Sequence, residues 1–232
     1  MKYVTANVSW DKTYRLINSS YPPIDLFEDI AEPDDWDLLC EAESKTNPRL
    51  SESIGNLSLV PKDRRVSGTG SSYVMAPFTH ISKDNSGRFH DGTFGAYYAG
   101  DSFETALYEK RYHLQQFFLN TNEEKGWITD LRELVGSINH RLVDIRRVNH
   151  KKYLNKKSYT ESQKFASFIK NKGEDGIIWP SVRLEPKECF AVFYPDVISI
   201  PKQGKHIGVY WNGKKIDKYR IYKAPKNIVN YL

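Results

Sequence analysis

The stretch from Phe94 to Leu119 constrains the fold more than any other part of the chain. Phe94 to Ala99 (FGAYYA) is a short aromatic run of strand type, ended by Gly100. Asp101 then stands as a helix N-cap with Glu104 three residues later, the spacing of a capping box, so the chain passes from strand to helix near Ser102. Phe103, Ala106, Leu107, Leu114, Phe117 and Phe118 recur at the helical period up to about Leu119 and form one apolar stripe. Such a stripe has to pack on a sheet.

The flanking sequence supplies that sheet. Thr13 to Asn18 reads as a short first strand, followed by a turn at Ser19 to Pro23. Asp34 and Asp35 precede Trp36, Leu38, Leu39 and Ala42, a short helix that Pro48 stops. Residues 49–72 are polar, with a Ser67-Gly68-Thr69-Gly70 loop, and read as irregular or as an insertion lying over the core. Tyr73 to Phe78 suits a buried strand, and Asp84 to Gly87 a turn leading into Arg88 and Phe89. Further strands are expected at Trp127–Leu134, Arg141–Ile145, Gly176–Pro180 and Cys189–Tyr194, with a helix from Thr160 to about Lys170. Asn212-Gly213 between Val209–Trp211 and Ile216–Tyr222 is a hairpin signal. The fold class is α+β, a mixed sheet core with flanking helices.

Composition narrows the function classes. At 232 residues, 39% hydrophobic and 13% aromatic, the chain carries enough apolar surface for one folded domain. No run approaches the roughly 18 apolar residues of a membrane span, and Met1 to Arg15 lacks the apolar core of a secretory signal, so a cytoplasmic protein is expected. Cys40 and Cys189 lie far apart and the His residues show no ligand spacing; no metal is expected. The net charge of +5 fits an anionic ligand, an acidic protein or nucleic acid. Because Lys and Arg are spread along the chain, a basic nucleic-acid-binding module ranks last.

No Walker loop, G-x-G-x-x-G, H-E-x-x-H or G-x-S-x-G pattern occurs. What stands out is Ser86 to Glu109, SGRFHDGTFGAYYAGDSFETALYE. Arg88 follows Gly87 in a turn, where its guanidinium fork suits an anionic diphosphate, although a solvated charge is the ordinary occupant of a loop. Glu109 lies about 120° from the centre of the apolar stripe, where an ordinary surface Glu would lie. Tyr97 and Tyr98 face opposite sides of a strand, which leaves Tyr98 as either core packing or a pocket residue. Ser181 reads as a turn residue after Pro180, with no His/Asp partner to activate it.

The Ser86–Glu109 block resembles the central segment of RES-domain proteins: a Gly-Arg-aromatic turn, a Gly-containing loop, an aromatic strand and a helix with an Ala-Leu-x-Glu sequence. Tyr14-Arg15-Leu16 matches near the start; Asp175 to Arg183 and then Glu188 to Phe193 match near the end, in the same order. The resemblance covers about residues 13–200 of a single domain spanning 1–232, with 36–70 poorly matched and 201–232 left as a C-terminal hairpin extension. It implies an ADP-ribosyltransferase-like fold of the diphtheria-toxin type. It further implies a toxin that consumes NAD by cleaving the nicotinamide–ribose bond, with phosphate or water as acceptor; the alternative is a mono-ADP-ribosyltransferase acting on a protein. Carried over residue by residue, Arg15 and Arg88 would hold the diphosphate and Tyr98 would pack on the nicotinamide side. Glu109 would stabilise the oxocarbenium-like transition state, and Ser181 would hydrogen-bond a phosphate or ribose. The implied partners are NAD as substrate, inorganic phosphate and a protein antitoxin of Xre type, with a homo-oligomer as a further expectation. After Arg88 the turn reads Phe89-His90-Asp91-Gly92 where a Trp-Asn-type sequence is usual, a departure that bears on the acceptor.

Overall fold

A computed structural model describes residues 2–19, 35–36, 38, 55–83 and 86–222. Among these, seven strands form one mixed sheet: β1 (Val4–Asn18), β2 (Tyr97–Gly100), β3 (Gly126–Asp144), β4 (Gly176–Pro180), β5 (Glu188–Val192), β6 (Lys202–Trp211) and β7 (Ile216–Tyr222). Their order is β1-β2-β5-β4-β3-β6-β7, and β1 pairs in addition with β3, so that five strands close into a ring. Only β3 and β4 run parallel. The β1–β2 seam consists of a single register pair, Tyr14 with Gly100. By contrast β1 runs along β3 from Val4/Asp144 to Asn18/Leu131.

Alternation along the central strands sorts side chains onto two faces. Tyr97, Ile178, Phe190 and Val192 pack on one, under α1 (Ser72–Thr79), which contributes Val74, Met75 and Phe78. Ile177, Trp179, Cys189 and Ala191 pack on the other, under α3 (Thr160–Asn171), which contributes Phe165, Ala166 and Ile169. Buried on both faces, β4 and β5 show continuous apolar runs instead of alternation. A third cluster joins α2 (Phe103–Thr121) to β3, β6 and β7 through Phe103, Leu107, Phe118, Leu131 and Trp211. No described helix is long and apolar enough to cross a membrane.

Several elements differ from the sequence expectation. Tyr73–Phe78 is helical, within α1; a short apolar run has no period that separates a buried helix from a buried strand, and here the i, i+4 pair Val74 and Phe78 meets the sheet. The two strands expected at 127–134 and 141–145 are one 19-residue strand, because β1 pairs with the intervening residues from Val135 to His140, across a register shift at Ser137. The cap of α2 is Ser102, whose hydroxyl accepts from Thr105 N, and not Asp101. Phe117, expected in the stripe, is 58% exposed. Residues 55–71 are irregular apart from two 3-10 turns, and they press Leu57 and Val60 into the core. Of the helix expected after Asp34, only Asp35, Trp36 and Leu38 are described, Trp36 buried; of the Asp84–Gly87 turn, only Ser86 and Gly87.

Candidate active site

Asp101 holds the start of α2 against the sheet. Its Oδ1 accepts from the Thr105 hydroxyl at 2.7 Å and its Oδ2 from Glu188 N at 3.1 Å, while its own N–H donates to Glu188 O at 3.1 Å. Two helical turns later this places Glu109 over the end of β4 and β5, where Trp179 faces Cys189 and Pro180 faces Glu188. Ser181 leaves β4 at that point. Its hydroxyl donates to Glu109 Oε1 at 2.8 Å and accepts from Arg183 N at 3.2 Å and Leu184 N at 3.1 Å. With both backbone donors occupying the oxygen, its only proton is directed at the carboxylate. The buried Cys189 thiol donates to the same Oε1 at 3.8 Å, and burial followed by the nearby Glu109 charge pushes its pKa well up. Oε2 of Glu109 receives no hydrogen bond among the described residues.

Arg88 sits in a tight turn that Gly87 N closes by donating to His90 O at 2.9 Å. Phe89 anchors the turn, fully buried with its ring 4.5 Å from that of Trp179, and Gln163 of α3 donates to the carbonyls of Gly87 and His90. A Cβ on Gly87 would lie 2.7 Å from His90 Nε2 and 2.9 Å from the Tyr98 hydroxyl, so the turn closes onto Tyr98 only with glycine there. Arg88 is 7% exposed, donates to the carbonyls of Tyr153 and Asn155, and stacks 4.6 Å from the Tyr159 ring. Its pKa falls through burial, opposed by the fields of Tyr159 and Glu109.

Tyr98 points to the α3 side of the sheet and Tyr97 to the α1 side, as adjacent strand residues must. The Tyr98 hydroxyl accepts from Phe89 N at 2.9 Å, and burial drives its pKa upward. Arg15, half-buried on β1, donates to Tyr98 O at 3.3 Å and lies 4.5 Å over the Tyr97 ring; burial lowers its pKa. The fold therefore gathers Arg15, Arg88, Tyr98, Glu109 and Ser181 into one region, Glu109 with Ser181 by direct contact and Arg15 with Tyr98 through the backbone.

Three further polar residues belong to this region and carried no signal in sequence beyond proximity to Glu109 and Ser181. Lys110, half-buried, is brought down to about 8 by burial and then by Arg15. His113 is driven below its usual range by desolvation and by repulsion from Lys110, Arg183 and Arg88, although part of its ring meets solvent. Arg183 stacks 3.4 Å over the Tyr112 ring. Among the described residues Arg15, Arg88, Lys110 and Arg183 make no salt bridge, and the Glu109 carboxylate acts on Arg88.

A family model described as RES domain matches residues 62–212. An uncharacterized protein of Sinorhizobium fredii, y4oC, is 32% identical over 206 residues, covering 89% of this chain and 85% of its own length. The crystal structure of the M. tuberculosis MbcT–MbcA toxin–antitoxin complex superposes with a TM-score of 0.46 at 9% identity, over 94% of this chain and 86% of that one.

Proposed function

We propose, from the premise that this chain belongs to the RES domain family, that it is a toxin-like enzyme that cleaves the nicotinamide–ribose bond of NAD. The observation that carries this reading is the Glu109 carboxylate, held through one oxygen by Ser181, in a region with four cations that make no ion pair among the described residues. Guanidinium and ammonium groups drawn partly out of water without a counter-charge among the described residues favour an anionic ligand. A dinucleotide diphosphate supplies it at Arg15 and Arg88.

In the proposed reaction the C–N bond to ribose breaks and both its electrons go to the nicotinamide nitrogen, which leaves neutral and needs no proton. Positive charge builds on the anomeric carbon. Glu109 stabilises that charge with Oε2, or through a ribose hydroxyl, while Ser181 and Cys189 hold Oε1. Tyr98 packs beside the leaving group. Water or phosphate then forms the new C–O bond and gives up a proton. On this reading the mixed sheet is an ADP-ribosyltransferase-like core and a protein antitoxin is the regulatory partner.

The test is NAD consumption by wild type against Glu109→Gln, which keeps size and removes charge. Wild type is expected to release nicotinamide with ADP-ribose or its phosphate, and the variant to lose most of that rate. Equal rates would overturn the role of Glu109. Radiolabel appearing on protein alone would replace hydrolysis or phosphorolysis by protein modification.

A further inference from the structure

Arg183 and Lys110 lie beside Glu109 and Ser181 but take no part in holding NAD through Arg15 and Arg88. Two other arginines that the fold draws partly out of water are neutralised by carboxylates. Arg64 meets Asp175 at 3.0 Å and Asp196 at 2.6 Å, and Arg146 meets Asp144 at 2.8 Å and Glu188 at 3.2 Å. Arg183 receives no such partner among the described residues. Its guanidinium lies 3.4 Å over the Tyr112 ring, it makes one long hydrogen bond to Lys156 O at 3.4 Å, and its Nε is buried with no acceptor. Stacking of this kind fixes the plane of the fork and leaves its edge to a ligand. Lys110, the helix residue next to Glu109, also makes no ion pair among the described residues.

Both residues are tied to the catalytic carboxylate by the backbone. Arg183 N donates to the Ser181 oxygen that holds Glu109, and Lys110 follows Glu109 on α2. The depression of Lys110 and the repulsion felt by His113 accord with a local excess of positive charge. NAD brings only one net negative charge, because its nicotinamide ring is cationic. Loaded with NAD, the region stays cationic, which favours a further oxyanion or a closer grip on the diphosphate.

Resting on the NAD reading, we propose that Arg183 and Lys110 form a second anion subsite that takes a phosphate-type oxyanion, beside the one formed by Arg15 and Arg88. The oxyanion is either free phosphate or one of the two phosphates of the nucleotide. A planar fork and a point charge, both close enough to repel His113, suit a tetrahedral oxyanion better than a carboxylate, which a single fork would satisfy.

The experiment is calorimetric titration of the full chain with inorganic phosphate alone, with ADP-ribose alone, and with phosphate after saturation by ADP-ribose. Arg183→Gln and Lys110→Met are expected to weaken one of these by about tenfold or more, with Arg183→Lys recovering part of the loss. Loss confined to phosphate on the ADP-ribose complex identifies a free oxyanion as the ligand. Loss in ADP-ribose affinity, with phosphate competing, identifies the nucleotide's own diphosphate. If both variants, melting as wild type does, bind all three probes within twofold of it, the subsite does not exist. Should wild type bind phosphate in an Arg183-dependent way yet neither bind ADP-ribose nor consume NAD, the NAD reading fails while the subsite stands.

Discussion

Replacing Ser181 with Ala separates a turn residue from one that aims the carboxylate proposed to act on NAD. Ser181 is 1% exposed, and its hydroxyl makes three hydrogen bonds, one to a charged group. Losing the bond to Glu109 and leaving the N–H groups of Arg183 and Leu184 short of an acceptor should cost about 2–3 kcal/mol in stability. For a domain of this length that is a fall in Tm of roughly 5–10 °C. The effect on rate has a different origin. Glu109 keeps its charge but loses its strongest restraint, and a carboxylate displaced by about 1 Å from a developing cation forfeits up to about a hundredfold in rate. We therefore expect kcat for NAD to fall by about 10- to 100-fold, with KM changing less than about threefold, since on the proposed reading Arg15 and Arg88 bind the ground state. The assay is steady-state NAD consumption well below the variant's Tm. In a Glu109→Gln background the same Ser181→Ala change should have almost no further effect on kcat, because the group that it aims is gone. A Ser181→Ala enzyme with lowered Tm and wild-type kcat would refute the positioning argument and return Ser181 to the turn.

Two predictions concern charge and pH. Lys110 is brought down from 10.5 to about 8 in the fold, so the native state resists its proton and stability should rise as pH goes from about 8 to 10.5. Lys110→Met should accordingly exceed wild type in stability to denaturant at pH 7 and lose that advantage near pH 10.5; a less stable variant at pH 7 contradicts the charge excess. Asp144 accepts from Arg146 N, Nε and Nη2 at 2.8–2.9 Å, which holds its pKa below the ordinary 3.8. It therefore contributes stability above pH 3.8 that is lost as pH falls through the depressed value, and Asp144→Asn should be about 1–2 kcal/mol less stable at pH 7 with the gap closing in acid. A gap independent of pH would remove the ion pair from the account.

The elements legible in sequence are those with local punctuation. Gly100 and the cap ahead of α2, the helical period from Phe103 to Phe118, and the Asn212-Gly213 hairpin all decide the backbone within a few residues. The N-terminal half of β1 and the joined middle of β3 were not legible, because each exists through pairing with residues more than a hundred positions away. The same division holds at the candidate site. Arg88 and Tyr98 stand out in one compact motif, whereas periodicity puts Glu109 on a solvated face. Only tertiary structure turns that face into contact with Ser181 and Cys189, through the Asp101 attachment to Glu188. Arg183 and Lys110 read as ordinary surface charges until the absence of ion-pair partners among the described residues becomes visible.

The single-pair seam between β1 and β2 has a consequence for the order in which the molecule is built. Arg15 comes from the first strand, yet its neighbour Tyr98 and the helix that carries Glu109 are seated on β5, and Ser181 follows β4. A chain emerging from the ribosome holds Arg15 and Arg88 early, but it has no Ser181 to orient Glu109, no β5 to seat α2 and no closed ring until about residue 192 is available. Contacts of such long sequence separation form slowly and together. For an enzyme proposed to destroy NAD, this topology keeps the growing polypeptide inert and confines activity to the finished product of translation, the first form that an antitoxin would have to meet.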